Sequence, residues 1–156
     1  VSLGGGESTE ADRIVYDGAP GGEPGNANGR LRFDIRNQGE ANAEIVAFSV
    51  SDSVSDVIWN GSSSREVEII DGGETGYARA RGSERYNTDG IEVYSLDEPA
   101  IINPGATAEV TLEEFEDNGN EVDLSDATNV DSAAAADITV TFEFADGSTK
   151  SFYFAL

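Results

Sequence analysis

The chain has 156 residues, of which 31 are acidic and nine basic, for a formal charge of −22, and it contains no His, Cys or Met. Those absences exclude Ser-His-Asp and Cys-His nucleophiles together with thiolate and imidazole metal sites, so carboxylates, hydroxyls and backbone are the chemistry that remains. An apolar content of 38% supports one core and a single domain, and the scarcity of Lys and Arg argues against nucleic acid as a partner.

In chain order, the first 29 residues stand apart. "DRIVYD" is a short strand candidate, with Ile14, Val15 and Tyr16 at its centre, between the Gly-rich stretches "SLGGGESTE" and "GAPGGEPGNANG". The expected organisation is a flexible segment over residues 1–29 and a β-sandwich over 30–156. Ile14, Val15 and Tyr16 either begin their own sandwich or leave it to complete the sheet of a neighbour by strand addition. The start at Val1 is what removal of a signal peptide or membrane anchor would leave, and no run approaches the roughly 18 apolar residues of a membrane span.

From Arg30 onward the period is that of strands. "RLRFDIR" alternates Leu31, Phe33 and Ile35 with charged residues, and "NQGEAN" turns the chain. "AEIVAFSVSD" is predicted to place Val46, Phe48 and Val50 on one face. "DVIW", "EVEII", "GYARAR", "IEVYSL" and "AEVTLEEF" are further strand candidates at spacings suited to a sandwich. The sequon Asn60-Gly61-Ser62 makes Asn60 a candidate glycosylation site on an exported surface, and Asn-Gly is equally a hairpin turn.

"EEFEDNGNEVDLSD" concentrates carboxylates, of which Asp117, Glu121, Asp123 and Asp126 are candidate calcium ligands, since hard cations take oxygen donors. EF-hand spacing is not met, and a solvated acidic loop is the competing reading. Two carboxylates can also hydrolyse glycosides, but any two of 31 pair on paper and only one Trp is present to form a sugar platform, so no enzyme is expected. "DLSDATNVDSAAAAD" offers a turn or two of helix at most.

The end of the chain reads as a hairpin. Ile138, Val140, Phe142 and Phe144 alternate with polar residues, Asp146-Gly147 signals a two-residue type I′ turn, and Phe152, Phe154 and Leu156 continue the pattern. Phe142, Phe144, Phe152 and Phe154 are predicted to be buried. A chain ending on such a strand needs both edges covered, by its own segments or by a neighbour.

Eight of the nine basic residues are Arg and one is Lys. Self-repulsion at −22 would oppose compaction at low salt, and Arg is the less hydrated cation, so the balance suggests adaptation to concentrated salt.

"LRFDIRNQGEANAEIVAFSV", "INPGATAEVTL" and "ITVTFEFADGSTKSFYF" together resemble the immunoglobulin-like β-sandwiches of archaeal cell-surface filament proteins, among them pilin and archaellin ectodomains and TasA-type biofilm-fibre subunits. In those domains a strand ending in Asn-x-Gly precedes a strand of alternating apolar residues, and a Pro-Gly turn opens a later one. Asn37, Gly39, Pro104 and Gly105 occupy those places. Archaeal pilins and archaellins keep a long apolar N-terminal helix that this sequence lacks, which, unless that helix has been cut away, favours the strand-exchange style of the TasA-like fibres. The resemblance implies an all-β, immunoglobulin-like or jelly-roll-like antiparallel sandwich with long acidic loops. It also implies a structural, extracellular role, with copies of the same chain as partners. A monomeric adhesive or ligand-binding module, holding calcium or carbohydrate, is the alternative.

Overall fold

The computed structural model describes residues 8–59, 67–71, 75–78 and 85–156. Among them the chain is an antiparallel β-sandwich. Its strands are β1 (Ile14–Tyr16), β2 (Leu31–Asn37), β3 (Ala43–Asp52), β4 (Val57–Trp59), β5 (Val67–Asp71), β6 (Thr75–Ala78) and β7 (Arg85–Asn87). They continue with β8 (Tyr94–Ile102), β9 (Thr107–Leu112), β10 (Phe115–Asp117), β11 (Asn120–Glu121), β12 (Thr128–Val130), β13 (Ile138–Phe144) and β14 (Thr149–Ala155).

One sheet runs β1-β2-β9-β5-β6, a second runs β8-β3-β13-β14-β12, and the backbone bridge between Tyr77 and Glu98 joins them at one corner. That the two face each other follows from the aromatic contacts between them. The ring of Phe33 lies 5.5 Å from Phe152 and 4.9 Å from Phe154, with tilted planes that favour such pairs. A small third sheet, β11-β10-β4-β7, adds Phe115, Ile58 and Tyr86 to the same core.

Alternation explains most of this. Leu31, Phe33 and Ile35 are fully buried while Arg36 is exposed, and β13 buries every second residue from Ile138 to Phe144. Phe142, Phe144, Phe152 and Phe154 are all buried, as predicted. Ala11 and Ile14 belong to the same cluster, so the core continues across the boundary expected at residue 30.

Three sequence expectations change. In β3 the buried face is Ala43, Ile45, Phe48 and Val50, with Val46 only half-buried. The register slips between Ile45 and Ala47, so one extra residue inverts the phase. Ile91 and Val93 are not strand residues; they stand in a loop before Tyr94, 80% and 56% exposed. The terminal turn is not type I′, which needs positive φ at two successive residues. Only Gly147 is positive there (86°), and the N–H of Gly147 donates to Phe144 O at 2.9 Å while the N–H of Phe144 donates to Ser148 O at 2.9 Å, closing a three-residue loop. The two-residue loop with positive φ at both positions is Asn118 (51°) and Gly119 (84°), between β10 and β11.

The alanine run forms one 3-10 turn, Ala133–Ala135. "GYARAR" is described only through Ala78.

Asn37 is the polar hinge of the fold. It is fully buried, and its Nδ2 donates to Ala41 O and Ile102 O, both at 2.8 Å, while Oδ1 accepts the N–H of Gly39 at 2.9 Å. Its carbonyl accepts the N–H of Gly105 at 2.7 Å. The "NQGEAN" turn, through the Asn37 side chain, and the "NPGA" turn, through its backbone, are thus tied to one residue although separate in sequence.

Candidate functional site

The sequence singled out Ile14, Val15 and Tyr16, and the structure seats them in the chain's own sheet. β1 pairs with β2 in the register Ile14 to Asn37, Val15 to Arg36 and Tyr16 to Ile35. Ile14 points inward and is fully buried, and Tyr16 stacks on Phe33 at 5.9 Å and meets the edge of Phe154 at 6.0 Å. Burial and the charge of Asp34 push the Tyr16 hydroxyl above its ordinary pKa. Val15 and Arg36 lie opposite each other on the outer face.

Beyond Tyr16 the chain follows β2 without being a regular strand. The N–H of Asp17 donates to Asp34 O at 2.7 Å, that of Asp34 to Gly18 O at 2.8 Å, and that of Arg32 to Pro24 O at 2.6 Å. An isolated bridge pairs Gly25 with Leu31. Residues 14–25 therefore form a strip that closes the outer edge of β2.

Upstream, this strip is held by two residues that sequence reasoning missed. The N–H of Glu10 donates to Asp146 Oδ2 at 2.9 Å, and the N–H of Asp146 donates to Glu10 Oε2 at 2.7 Å, so each carboxylate accepts the other residue's amide. Glu10 Oε1 also accepts the N–H of Glu44 at 2.8 Å, and Ser148 Oγ accepts that of Ala11 at 3.1 Å. The Ser148 hydroxyl, the Glu10 amide and the Ser148 amide together draw the Asp146 carboxyl down to about 2. The only sequence signal for this clasp is Asp-Gly-Ser, where an Asp commonly bonds two residues on. Arg13 adds a second anchor. Its guanidinium donates to Ser8 O at 3.0 Å and Asn42 O at 2.7 Å, and its carbonyl accepts the N–H of Gln38 at 2.8 Å.

The terminal strand finds cover within the domain over its last residues. β12 pairs with it in the register Thr128 to Ala155, Asn129 to Phe154 and Val130 to Tyr153, and Asn129 Nδ2 donates to Tyr153 O at 3.1 Å. Among the described residues nothing pairs with residues 149–152 on that side. A cleft of about 200 Å³ lies there, between this edge and Tyr16 of the opposite sheet.

The four candidate calcium ligands are not gathered. Asp117 and Glu121 lie on β10 and β11, Asp123 and Asp126 lie in the loop before β12, and all four are exposed. Asp123 Oδ1 already accepts the N–H and hydroxyl of Ser125. Among the described residues no three carboxylates stand close enough to share a metal ion. Asn60 lies outside the described residues. No helix among them is long and apolar enough to cross a membrane.

Searches of known protein-family models and of curated proteins find no match to this chain.

Proposed function

We propose that this chain is a structural subunit of an extracellular surface filament of a halophilic archaeon, joined to its copies by β-strand complementation. The observation that carries this reading is the strip over residues 14–25. It fills a sheet edge with one fully buried and one stacked side chain, and it is held largely by hydrogen bonds worth about 0.5–1.5 kcal/mol each. A strand so held, beside Gly-rich flanks, can close the same edge of a neighbouring copy with the same contacts, which is how strand exchange makes assemblies at low cost. The charge of −22 and the Arg bias fit a surface that works in concentrated salt.

Deleting residues 1–17 tests this. In molar potassium chloride the truncated chain is expected to stay soluble or misfold and to form no polymer, while the added peptide 8–17 restores folding without restoring long fibres. Normal filaments from the truncated chain would defeat the reading. A wild-type particle that remains monomeric at every concentration and binds calcium or a glycan saturably would support the ligand-holding module instead.

A further inference from the structure

A second contact between copies is written on the two edges of the β8-β3-β13-β14-β12 sheet. On one edge, residues 91–93 bow out between Gly90 and Tyr94, and they expose Ile91 and Val93 more than any other large apolar residues described. This loop is fixed. The N–H of Asp52 donates to Thr88 O at 2.9 Å, that of Gly90 to Val50 O at 2.9 Å, and that of Ile91 to Asp89 Oδ1 at 3.0 Å. Gly90 sits so close to β3 that a Cβ there would meet Ser51 Cβ at 2.9 Å. A rigid loop that holds an isoleucine 80% exposed on so acidic a surface is a knob.

The opposite edge carries the cleft beside β14, lined by Tyr16, Asn129, Val130, Asp131, Lys150 and Phe152 among others. Its about 200 Å³ suits one branched aliphatic side chain. Lys150, the only lysine of the chain, gives the cleft one cation beside Asp131, and Asp89 and Glu92 flank the knob, so Lys150 is the group that the knob's carboxylates can meet. Ser151 has its N–H and C=O turned toward this open edge, because Phe154 O accepts from Asp137 on the β13 side and Tyr153 O from Asn129 on the other, and the direction alternates along an antiparallel strand.

Register sets the two features level. Val50 pairs with Val140 and Val140 with Phe152, while Phe48 pairs with Phe142 and Phe142 with Lys150. Gly90 bonds to the first row and Tyr94 pairs into the second. The knob and the cleft are thus opposite ends of the same two rows, three inter-strand steps or roughly 14 Å apart. A surface that fits its complement on the far side of an identical molecule makes a heterologous contact that need not close.

We propose that the Ile91–Val93 loop of one copy seats in the Tyr16, Val130, Lys150 and Phe152 cleft of the next, forming an open-ended lateral contact. This rests on the reading that the chain assembles with itself, but not on exchange of the N-terminal strand. The test separates the two by locking that strand in its own sheet, with Val15→Cys and Arg36→Cys oxidised to a disulfide in a chain that has no other cysteine. In molar potassium chloride, sedimentation of the locked chain is expected to show mass rising with concentration. Ile91→Asp or Lys150→Glu in the locked background should each weaken this at least tenfold without lowering the melting temperature. An equimolar mixture of the two should stop at dimers, since one supplies only a cleft and the other only a knob. A locked chain that stays monomeric overturns the proposal, as does Ile91→Asp association equal to that of its parent. Neither result bears on strand exchange in the unlocked protein.

Discussion

Asn37 is fully buried and Asp52 half-buried, and each accepts or donates several hydrogen bonds to the backbone around it. Replacing Asn37 by Asp removes the two donors that satisfy Ala41 O and Ile102 O and buries a charge at a fully enclosed position. The expected loss is about 3 kcal/mol or more, measured by urea unfolding at fixed salt. Asp52 accepts the N–H of Val54 and the N–H and hydroxyl of Ser55, and an Asn there can keep all three contacts. Burial raises the Asp52 pKa above its ordinary value despite those bonds. The folded state thus holds this proton more tightly than the unfolded chain, and stability falls as pH rises through the raised value. Asp52→Asn removes that dependence: its melting temperature should match wild type below the carboxylate range and exceed it at neutral pH. An equal gap at all pH values would show that the carboxyl is not penalised. Asp146 has the opposite sign. Its depressed pKa makes its contribution complete above about pH 4 and lost as pH falls through about 2. Hydrogen exchange at the Glu10 and Asp146 amides should therefore accelerate over that interval while the β13 amides stay protected.

At the level of elements, the alternating strands were readable wherever the period ran unbroken. β2 and β13 follow their patterns residue by residue because each buries one face along its whole length, whereas β14 buries Phe152 and Phe154 but leaves Lys150 half-buried and Leu156 beyond it 42% exposed. Phe144→Ala, in β13, should cost about 3–5 kcal/mol. Where the pattern failed, a local irregularity intervened that no periodicity encodes. The extra residue in β3 moved Val46 off the buried face, and the anchoring of residues 88–90 to β3 pushed Ile91 and Val93 into solvent. The strip was legible as a strand, and its place in its own sandwich was one of two readings, but its fastening was not legible, because Asp146, Ser148 and Asn42 are remote in sequence. The same remoteness hid the cover of the terminal strand. β12 carries only three residues and lies within a stretch whose composition suggested a helical turn.

For the whole molecule, charge and assembly are linked. At −22 the folded chain repels itself, and the screening length contracts to about 3 Å in 1 M salt, so the melting midpoint should climb steadily from low to molar potassium chloride. A flat midpoint would remove the argument for a high-salt surface. Assembly should follow the same trend, because neighbouring copies repel as well. The central claim is that β1 closes the sheet of a different copy, and the direct register of Val15 with Arg36 makes it measurable. In an antiparallel pair of this kind the Cα atoms lie about 5.5 Å apart, within the reach of a disulfide. Chains carrying only Val15→Cys, mixed with chains carrying only Arg36→Cys and oxidised after assembly in molar potassium chloride, should give a covalent dimer joining one of each. If that mixed dimer does not form while filaments do, each β1 has stayed in its own sheet and strand complementation is not what joins the subunits.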